Sequence, residues 1–228
     1  MTHRPAVSPD GSITVEAVLL DMDGTLVSSV AGVERSWTAW AGELGVVLPD
    51  FAEVHGVPAR ALVDRFLADR TPADRAAALE RIDRIELAVA HEVEVLPGAR
   101  ELLEALVPTG RCAIVTSSSR ALARARLAGT ALPEPALVTA DDVARGKPHP
   151  DPYLAGAALL GVRATACLVV EDAAAGLAAG RASGAVVLGL RTTLADPGVL
   201  ADLVVDDLSA VVAEPLPGGG VRVTVTEW

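Results

Sequence analysis

The sequence is short of aromatic residues, cysteine and positive charge. Only 3% of its 228 residues are aromatic, two are cysteine, and 19 Lys and Arg residues stand against 30 Asp and Glu, a formal net charge of −11. An acidic protein repels nucleic-acid backbones and anionic lipid headgroups, so we expect neither nucleic acid nor a membrane as partner. Cys112 and Cys167 lie in apolar segments without metal-type spacing, and we expect buried free thiols.

Long apolar segments are missing as well. No run approaches the roughly 18 apolar residues that a membrane span requires, and the first residues lack the apolar region of a signal peptide. We therefore expect a cytoplasmic protein. Because 51% of the residues are hydrophobic, the chain has ample material for a core and is expected to fold.

Short apolar runs alternate with helical patterns over most of the chain. The runs are Ile13–Leu20, Cys112–Thr116, Leu137–Thr139, Cys167–Val170 and Val186–Leu190. Continuously apolar strands that alternate with helices predict a parallel sheet covered on both faces. The predicted fold class is therefore α/β, with a Rossmann-like sheet.

One segment interrupts this alternation. Between about residues 30 and 95 no strand pattern occurs, while Val33, Trp37 and Trp40 recur at helical spacing. We predict an inserted all-helical cap domain with both tryptophans in its core. The predicted units are a flexible tail (1–12), an α/β core (13–28 and 96–228) and the cap (29–95). The alternating segment Val221–Thr226 is interpreted as an edge strand or a partner contact.

Polar residues follow several apolar runs at the points where the predicted strands end. They are Asp21, Asp23 and Gly24 after the first run, Thr116 and Ser117 after the second, and Glu171 and Asp172 after the fourth, with Lys147 between the last two. Ligands of open α/β sheets bind outside the carboxyl ends of the strands. If these strands are parallel neighbours, four carboxylates, a hydroxyl cluster and one lysine converge.

Such a convergence of carboxylates requires a compensating cation. Two carboxylates about 4 Å apart repel by roughly 4 kcal/mol at an effective dielectric constant near 20. Magnesium suits a site of few carboxylates, because it keeps waters and a substrate phosphate among its ligands. The hydroxyls, the backbone amides and the lysine then predict a phosphate site beside the metal.

Four motifs in order resemble a known family. They are Asp21-x-Asp23-Gly24-Thr25, Thr116, Lys147 and Glu171-Asp172, with the helical insertion directly after the first. The chain resembles the haloacid dehalogenase superfamily of phosphohydrolases, in the branch with a helical cap. The resemblance covers the chain from about Val15 to Leu190.

The resemblance implies a role for each motif residue. Asp21 is the expected nucleophile that forms an aspartyl-phosphate, and Asp23 the expected acid for the leaving alcohol and base for water. Magnesium is the implied cofactor, held by Asp21, the Asp23 carbonyl and Asp172. Glu171 either binds the metal directly or contacts one of the metal's ligands. The implied phosphate ligands are Thr116, Ser117 and Lys147, with Gly24 permitting close approach. Beside metal and lysine, we expect the pKa of Asp21 to be lowered.

The cap segment His55-Gly56-Val57-Pro58-Ala59-Arg60 resembles a loop that faces the active site in sugar and polyol phosphate phosphatases of this branch. The resemblance implies that His55, Gly56 and Arg60 contact the substrate. We therefore expect a phosphatase that acts on a small phosphorylated sugar or polyol. A monomer is the default expectation.

Two alternatives stay open at this point. A β-phosphoglucomutase-like enzyme shares all four motifs, but that subgroup has an acidic residue where this chain has Ser28 and a cap histidine where it has Val33. A catalytically silent binding protein on the same fold is the second alternative, because fold alone does not fix function.

Overall fold

The computed structural model describes residues 4–49 and 57–226. Its strands are β1 (Ser12–Val15), β2 (Ala17–Leu20), β3 (Val27–Ser28), β4 (Glu94–Val95), β5 (Cys112–Val115), β6 (Ala136–Val138), β7 (Cys167–Glu171), β8 (Val186–Leu190), β9 (Leu203–Val205), β10 (Val211–Pro215) and β11 (Val221–Val225). Its α-helices are α1 (Val30–Leu44), α2 (Ala59–Phe66), α3 (Pro72–Ala88), α4 (Ala99–Leu106), α5 (Arg120–Ala128), α6 (Asp151–Leu159) and α7 (Ala174–Ala182).

The core is a six-stranded parallel sheet in the order β6-β5-β2-β7-β8-β9. Successive residues of β2 point to opposite faces. Val18 and Leu20 pack with the helix residues Leu103 and Leu127, whereas Leu19 packs with Tyr153 and its neighbours on the other face. Every residue of β2, β5, β7 and β8 is buried, as expected for strands covered by helices on both sides. The predicted Rossmann-like α/β core is confirmed.

The first apolar run differs from its prediction as a single strand. It divides at Glu16 into β1 and β2, which belong to different sheets. In β1 the buried Ile13 and Val15 flank the exposed Thr14, whereas β2 is buried throughout. The change from alternation to continuous burial marks the passage from a half-exposed antiparallel sheet to the central parallel one.

The C-terminal apolar segment forms a central strand instead of an edge strand. Strand β11 lies between β1 and β10 and is antiparallel to both. Its residues Val221, Val223 and Val225 are buried against the main core. Near the other terminus, Arg4 donates hydrogen bonds to the Ala185 carbonyl and to Asp202. Both termini of the described chain therefore contact the α/β core.

The inserted segment is helical, as expected from its spacing. Helices α1, α2 and α3 pack around a separate cluster that contains the buried Trp37, Trp40, Leu62 and Ile82. The indole of Trp40 donates a 2.8 Å hydrogen bond to the Ala78 carbonyl. The two crossings between core and insertion, β3 and β4, pair as an antiparallel ribbon. This ribbon places the helical cap above the carboxyl ends of the core strands.

The remaining sequence expectations concern thiols and membranes. Cys112 and Cys167 are both buried and free. Among the described residues, no helix has the length and apolar character needed to cross a membrane.

Candidate active site

The strand order brings the predicted motif residues to one edge of the sheet. Strand β2 lies between β5 and β7, so the residues that follow these three strands are direct neighbours. Asp21, Thr116, Lys147, Glu171 and Asp172 are all buried there, at 7%, 3%, 4%, 1% and 1% relative exposure. Oxygens of Asp21, Glu171 and Asp172 lie within 4.8 Å of one another. The predicted convergence of carboxylates and lysine is therefore present.

Lys147 holds the centre of this cluster. Its ammonium group donates to Asp21 Oδ1 at 2.5 Å, to Glu171 Oε1 at 2.6 Å and to the Val115 carbonyl at 2.9 Å. All three donor positions of the ammonium are used. Burial by itself lowers the pKa of Lys147, but the two carboxylates outweigh burial and raise it above its usual value. Lys147 is therefore charged, and it fixes the orientation of the Asp21 carboxylate.

Glu171 is held from four directions. Its Oε1 accepts hydrogen bonds from Lys147 and from the Tyr153 hydroxyl at 2.8 Å, and its Oε2 accepts from the amides of Asp172 and Ala173. A carboxylate offers about four acceptor positions. These contacts favour Glu171 as the residue that positions Lys147, with Asp21 and Asp172 better placed for direct contact with a cation.

Gly24 is required by the packing of Asp172. Its φ of +89° lies in the left-handed region, and a Cβ at this position would stand 2.0 Å from Asp172 Oδ2. Thr25 donates to the other oxygen of Asp172 at 3.0 Å. The turn after β2 thus brings its backbone against a buried carboxylate, which only glycine permits. The sequence interpretation assigned this glycine to close approach of a phosphoryl group, and the structure adds Asp172 as the neighbour.

The electrostatics of the cluster differ from the sequence expectation for Asp21. Burial raises the pKa of Asp21 well above its usual value, and Glu171 and Asp172 add to the rise against the opposing effect of Lys147. Burial and Glu171 likewise raise the pKa of Asp172 to about 7, although Thr193 and Thr25 stabilise its ionised form. The expected lowering assumed a metal ion beside the lysine. One ammonium group alone does not offset three buried carboxylates.

The donor set therefore fits a divalent cation. The three carboxylates gathered within 4.8 Å supply hard oxygen ligands, which magnesium prefers. A cation among them would remove the mutual repulsion that raises the two pKa values.

Asp23 is turned away from Lys147 and towards the cap. Its Oδ1 accepts a 2.7 Å hydrogen bond from Ser29, at the start of α1. Its Oδ2 accepts from Ser118 at 3.2 Å and from the Arg126 guanidinium at 2.8 Å. The two motif aspartates, Asp21 and Asp23, thus have different environments, one in the core cluster and one at the boundary with the cap.

The loop after β5 provides hydroxyl and amide groups beside the nucleophile position. Thr116 and Ser117 line the same cleft as Asp21 and Asp23. The Thr116 hydroxyl accepts from the Ser118 amide at 3.1 Å, and Ser119 caps helix α5. Capping by Ser119 leaves the predicted phosphate role of Thr116 unaffected.

A cleft of about 820 Å³, part of which is open to solvent, separates the catalytic edge from the cap. The cap contributes Val33, Trp37 and Leu62 as apolar walls, and Asp83 and Glu86 from helix α3. Trp37 thus serves the cap core and lines the cleft. The cap also packs closely against the core loop before Lys147, because a Cβ on Gly146 would lie 2.8 Å from Pro58 of the cap.

Sequence reasoning missed the charged groups that link core and cap. Arg126 of α5 is buried, and its guanidinium contacts Asp23, Ser118 and, at 3.7 Å, Glu86. Burial raises the pKa of Glu86 to about 7, Asp23 and Asp83 add to the rise, and Arg126 opposes it. A signal was present in the sequence. Arg126 and Glu86 each occupy a position on the apolar face of their helix, where a charge needs a partner.

The predicted cap contacts are only partly visible. His55 and Gly56 lie outside the described residues. Arg60 is exposed in the first turn of α2 and does not line the cleft with Asp21. It lies near enough to Asp83 to lower the pKa of that carboxyl, which burial and Asp141 raise. The structure therefore brings the core motifs together but leaves Arg60 at the rim of the cap.

The parallel sheet, the helical insertion and the buried carboxylate cluster define a class of enzyme. Residues 15–184 match the haloacid dehalogenase-like hydrolase family, and the chain belongs to it.

Several named relatives indicate which kind of hydrolase this chain is similar to. The chain is 42% identical over 207 residues to hexitol phosphatase A of Escherichia coli (strain K12), covering 89% of this chain and 96% of that protein. It is 32% identical over 224 residues to 2-deoxyglucose-6-phosphate phosphatase 1 of Saccharomyces cerevisiae, covering 87% and 90%. Its fold matches a hydrolase from Pseudomonas syringae with a TM-score of 0.75 and 29% identity, over 85% of this chain and 94% of that one. The family and fold predicted from the sequence are confirmed, and the prediction of a phosphatase is supported by these relatives.

Proposed function

We propose that this protein is a magnesium-dependent phosphatase that hydrolyses small sugar or polyol phosphate monoesters through an aspartyl-phosphate. The observation that carries the proposal is the buried Asp21, oriented by Lys147 at the floor of a cleft that the cap covers. A carboxylate nucleophile splits hydrolysis into two easier steps. The names of the two phosphatase relatives support polyols and sugars as the substrate class.

In the proposed first step, an oxygen of Asp21 attacks phosphorus and the bond to the leaving alkoxide breaks. Asp23 donates a proton to the oxygen of the leaving group, so the alcohol leaves in its neutral form. Thr116 and Ser117 bind the phosphoryl oxygens, and Lys147 does so by exchanging one of its three present acceptors for a phosphoryl oxygen. In the second step Asp23 takes a proton from water, and the water oxygen displaces Asp21 from phosphorus to release phosphate.

The cofactor in this proposal is Mg²⁺. Asp21, Asp172 and the backbone carbonyl of Asp23 would hold it, with Glu171 anchoring Lys147 beside it. When bound, the ion offsets negative charge on the carboxylates and on the phosphoryl oxygens. Because Asp21 and Asp172 are both buried, we expect chelation to reduce activity severely.

The lining of the cleft disfavours the mutase alternative. Val33 lines the cleft at the position where the mutase subgroup carries a histidine, so no titratable group stands there.

We also propose a cytoplasmic monomer that binds small metabolites. Two buried free thiols fit a reducing compartment.

The test is phosphate release from hexitol, hexose, pentose, glycerol and nucleoside monophosphates, with magnesium or with EDTA. The Asp21→Asn variant is assayed beside the unaltered protein. We expect magnesium-dependent release from sugar or polyol esters that is lost in the variant. Phosphate release that persists in Asp21→Asn would refute the assignment of Asp21 as the nucleophile. Conversion of β-glucose 1-phosphate without phosphate release would indicate a mutase. Neither phosphate release nor conversion with any of these substrates would favour a binding protein without catalytic activity.

A further inference from the structure

The wall of the cleft that faces the leaving group is negatively charged. Among the described residues that line the cleft, the acidic ones are Asp21, Asp23, Asp83 and Glu86, and the only basic one is Arg126. Asp21 and Asp23 belong to the proposed catalytic machinery on the core. Asp83 and Glu86 are one helical turn apart on α3, and they face the core from the cap.

The single cation of this wall is already engaged. Arg126 donates to Asp23 at 2.8 Å and to Ser118 at 3.0 Å, and its other terminal nitrogen lies 3.7 Å from Glu86. Its side chain is only 5% exposed. A guanidinium so held is not available to neutralise a further anion. Asp83, in contrast, has no ion pair among the described residues. Burial and Asp141 of the core raise its pKa, and the exposed Arg60, which does not line the cleft, opposes them.

This distribution of charge discriminates between leaving groups. Carboxylates accept hydrogen bonds from hydroxyl groups, so a leaving group rich in hydroxyls matches the wall. A leaving group with its own carboxylate or second phosphate meets like charge in a partly enclosed cleft, where repulsion is stronger than in water. Val33 and Trp37 also line the cleft but carry no positive charge, and the side-chain hydrogen bond of Trp37 goes to Glu86.

We propose that Asp83, supported by Glu86, is a specificity-determining residue that selects neutral, hydroxyl-rich leaving groups and rejects esters with a second anionic group. This inference rests on the proposed phosphatase function and refines its substrate class. It separates the chain from phosphatases whose substrates carry a carboxylate next to the phosphate ester. Catalysis by Asp21 and Asp23 is common to both kinds of substrate, so the discrimination belongs to the cap.

The test uses two esters that differ only at the end remote from the phosphate. Glucitol 6-phosphate ends in a hydroxymethyl group, and 6-phosphogluconate ends in a carboxylate that is ionised at neutral pH. We expect kcat/KM to favour glucitol 6-phosphate by about tenfold or more, the size of a single like-charge repulsion in such a cleft. Asp83→Asn is expected to reduce this preference several-fold, and Asp83→Lys to reduce it further.

Two matched variants make the comparison specific. Asp69→Asn removes the same charge from an exposed position of the cap outside the cleft, and it should leave the preference unchanged. Glu86→Gln should reduce the preference less than Asp83→Asn, because Arg126 already offsets the charge of Glu86. Equal kcat/KM for the two esters in the unaltered protein would overturn the inference while leaving the phosphatase intact. A preference unaffected by Asp83→Asn would overturn it as well.

A binding measurement separates this inference from the proposed reaction. The Asp21→Asn protein is titrated with each ester in the presence of magnesium by calorimetry, with and without Asp83→Asn. Tighter binding of glucitol 6-phosphate, by a margin that Asp83→Asn reduces, would support the inference even if no turnover were found. Equal affinity for both esters, or binding of neither, would refute it. Absence of turnover in the unaltered protein would count against the proposed function alone.

Discussion

The core and cap sides of the cleft hold their acidic residues in different ways. On the core side, Lys147 and Tyr153 donate to buried carboxylates, and two backbone amides complete the environment of Glu171. On the cap side, Glu86 shares one guanidinium with Asp23, and Asp83 is half-exposed. Such a contrast suits a division of labour. Under the proposed function, the core would fix the geometry for catalysis, while the cap would present charge and shape to the variable part of a substrate.

The largest expected effect separates the two sides directly. Asp21→Asn should lower turnover of a neutral ester by about 10⁴-fold or more, the size seen when a nucleophile is removed. Asp83→Asn should change the same turnover by less than about tenfold, because the role proposed for Asp83 is confined to the leaving group. Phosphate release by the two variants, with thermal unfolding as a control for folding, provides the comparison. Similar losses in both would contradict the division between core and cap.

The next effect concerns stability and its dependence on pH. Burial raises the folded-state pKa of Glu86 from 4.5 to about 7, so its contribution to stability is complete below pH 4.5 and is lost as the pH rises through 7. Glu86→Gln mimics the protonated form and removes this loss. Relative to the unaltered protein, the variant should gain about 3 kcal/mol of unfolding free energy between pH 4 and pH 8.

The measurement is urea denaturation at several pH values and fixed magnesium concentration. Asp69→Asn serves as an exposed cap control with no such trend. If the difference in unfolding free energy between Glu86→Gln and the unaltered protein stays constant from pH 4 to pH 8, the raised pKa of Glu86 is contradicted.

Gly24 tests how tightly the core geometry is constrained. Gly24→Ala places a methyl group 2.0 Å from Asp172 Oδ2 and requires a positive φ of an alanine. We expect turnover to fall by about 100-fold, the effect of displacing a reacting group by about 1 Å. Gly42→Ala, a cap substitution with nothing within 4 Å of the new Cβ, is the matched control and should stay active. Full activity of Gly24→Ala would show that the Asp172 carboxylate can move freely.

The smallest expected effect is that of Tyr153→Phe. It removes one of the four hydrogen bonds on Glu171 and leaves those from Lys147 and two amides. We expect a loss of about 1 kcal/mol in unfolding free energy, with activity reduced only slightly. Urea denaturation measures the loss. A loss of turnover as large as that of Asp21→Asn would instead give Tyr153 a direct part in the chemistry.

The core site was predictable because its signals are local. A buried parallel strand ends at a known edge of the sheet, so the residues after each apolar run identify the site without knowledge of distances. Asp21, Thr116 and Asp172 were identified in this way and Lys147 by its position between two such runs, and the structure places the four residues together. The division of the first run into β1 and β2 was not found, because eight apolar-rich residues around Glu16 read equally well as one strand.

The cap side was less predictable because its contacts join distant elements. Arg126 and Asp23 are 103 positions apart in sequence. Glu86, the other carboxylate near Arg126, belongs to the predicted cap, whereas Arg126 and Asp23 belong to the predicted core. In the sequence, the charge of Arg126 or of Glu86 by itself is only an interruption of an apolar helix face. Their partnership becomes visible only when α3 of the cap is set against α5 of the core.

The sequence by itself determined the family, the fold and the residues that gather at one edge of the sheet. Residue types at the strand ends, with an insertion after the first, were sufficient for the family, the fold and the carboxylate cluster, since these depend on local pattern and on the rules of parallel sheets. Only the tertiary structure decided which charges face the leaving group and which of them are already paired. That outcome depends on how two domains dock, and electrostatic interactions fall off with distances in space that sequence spacing does not record.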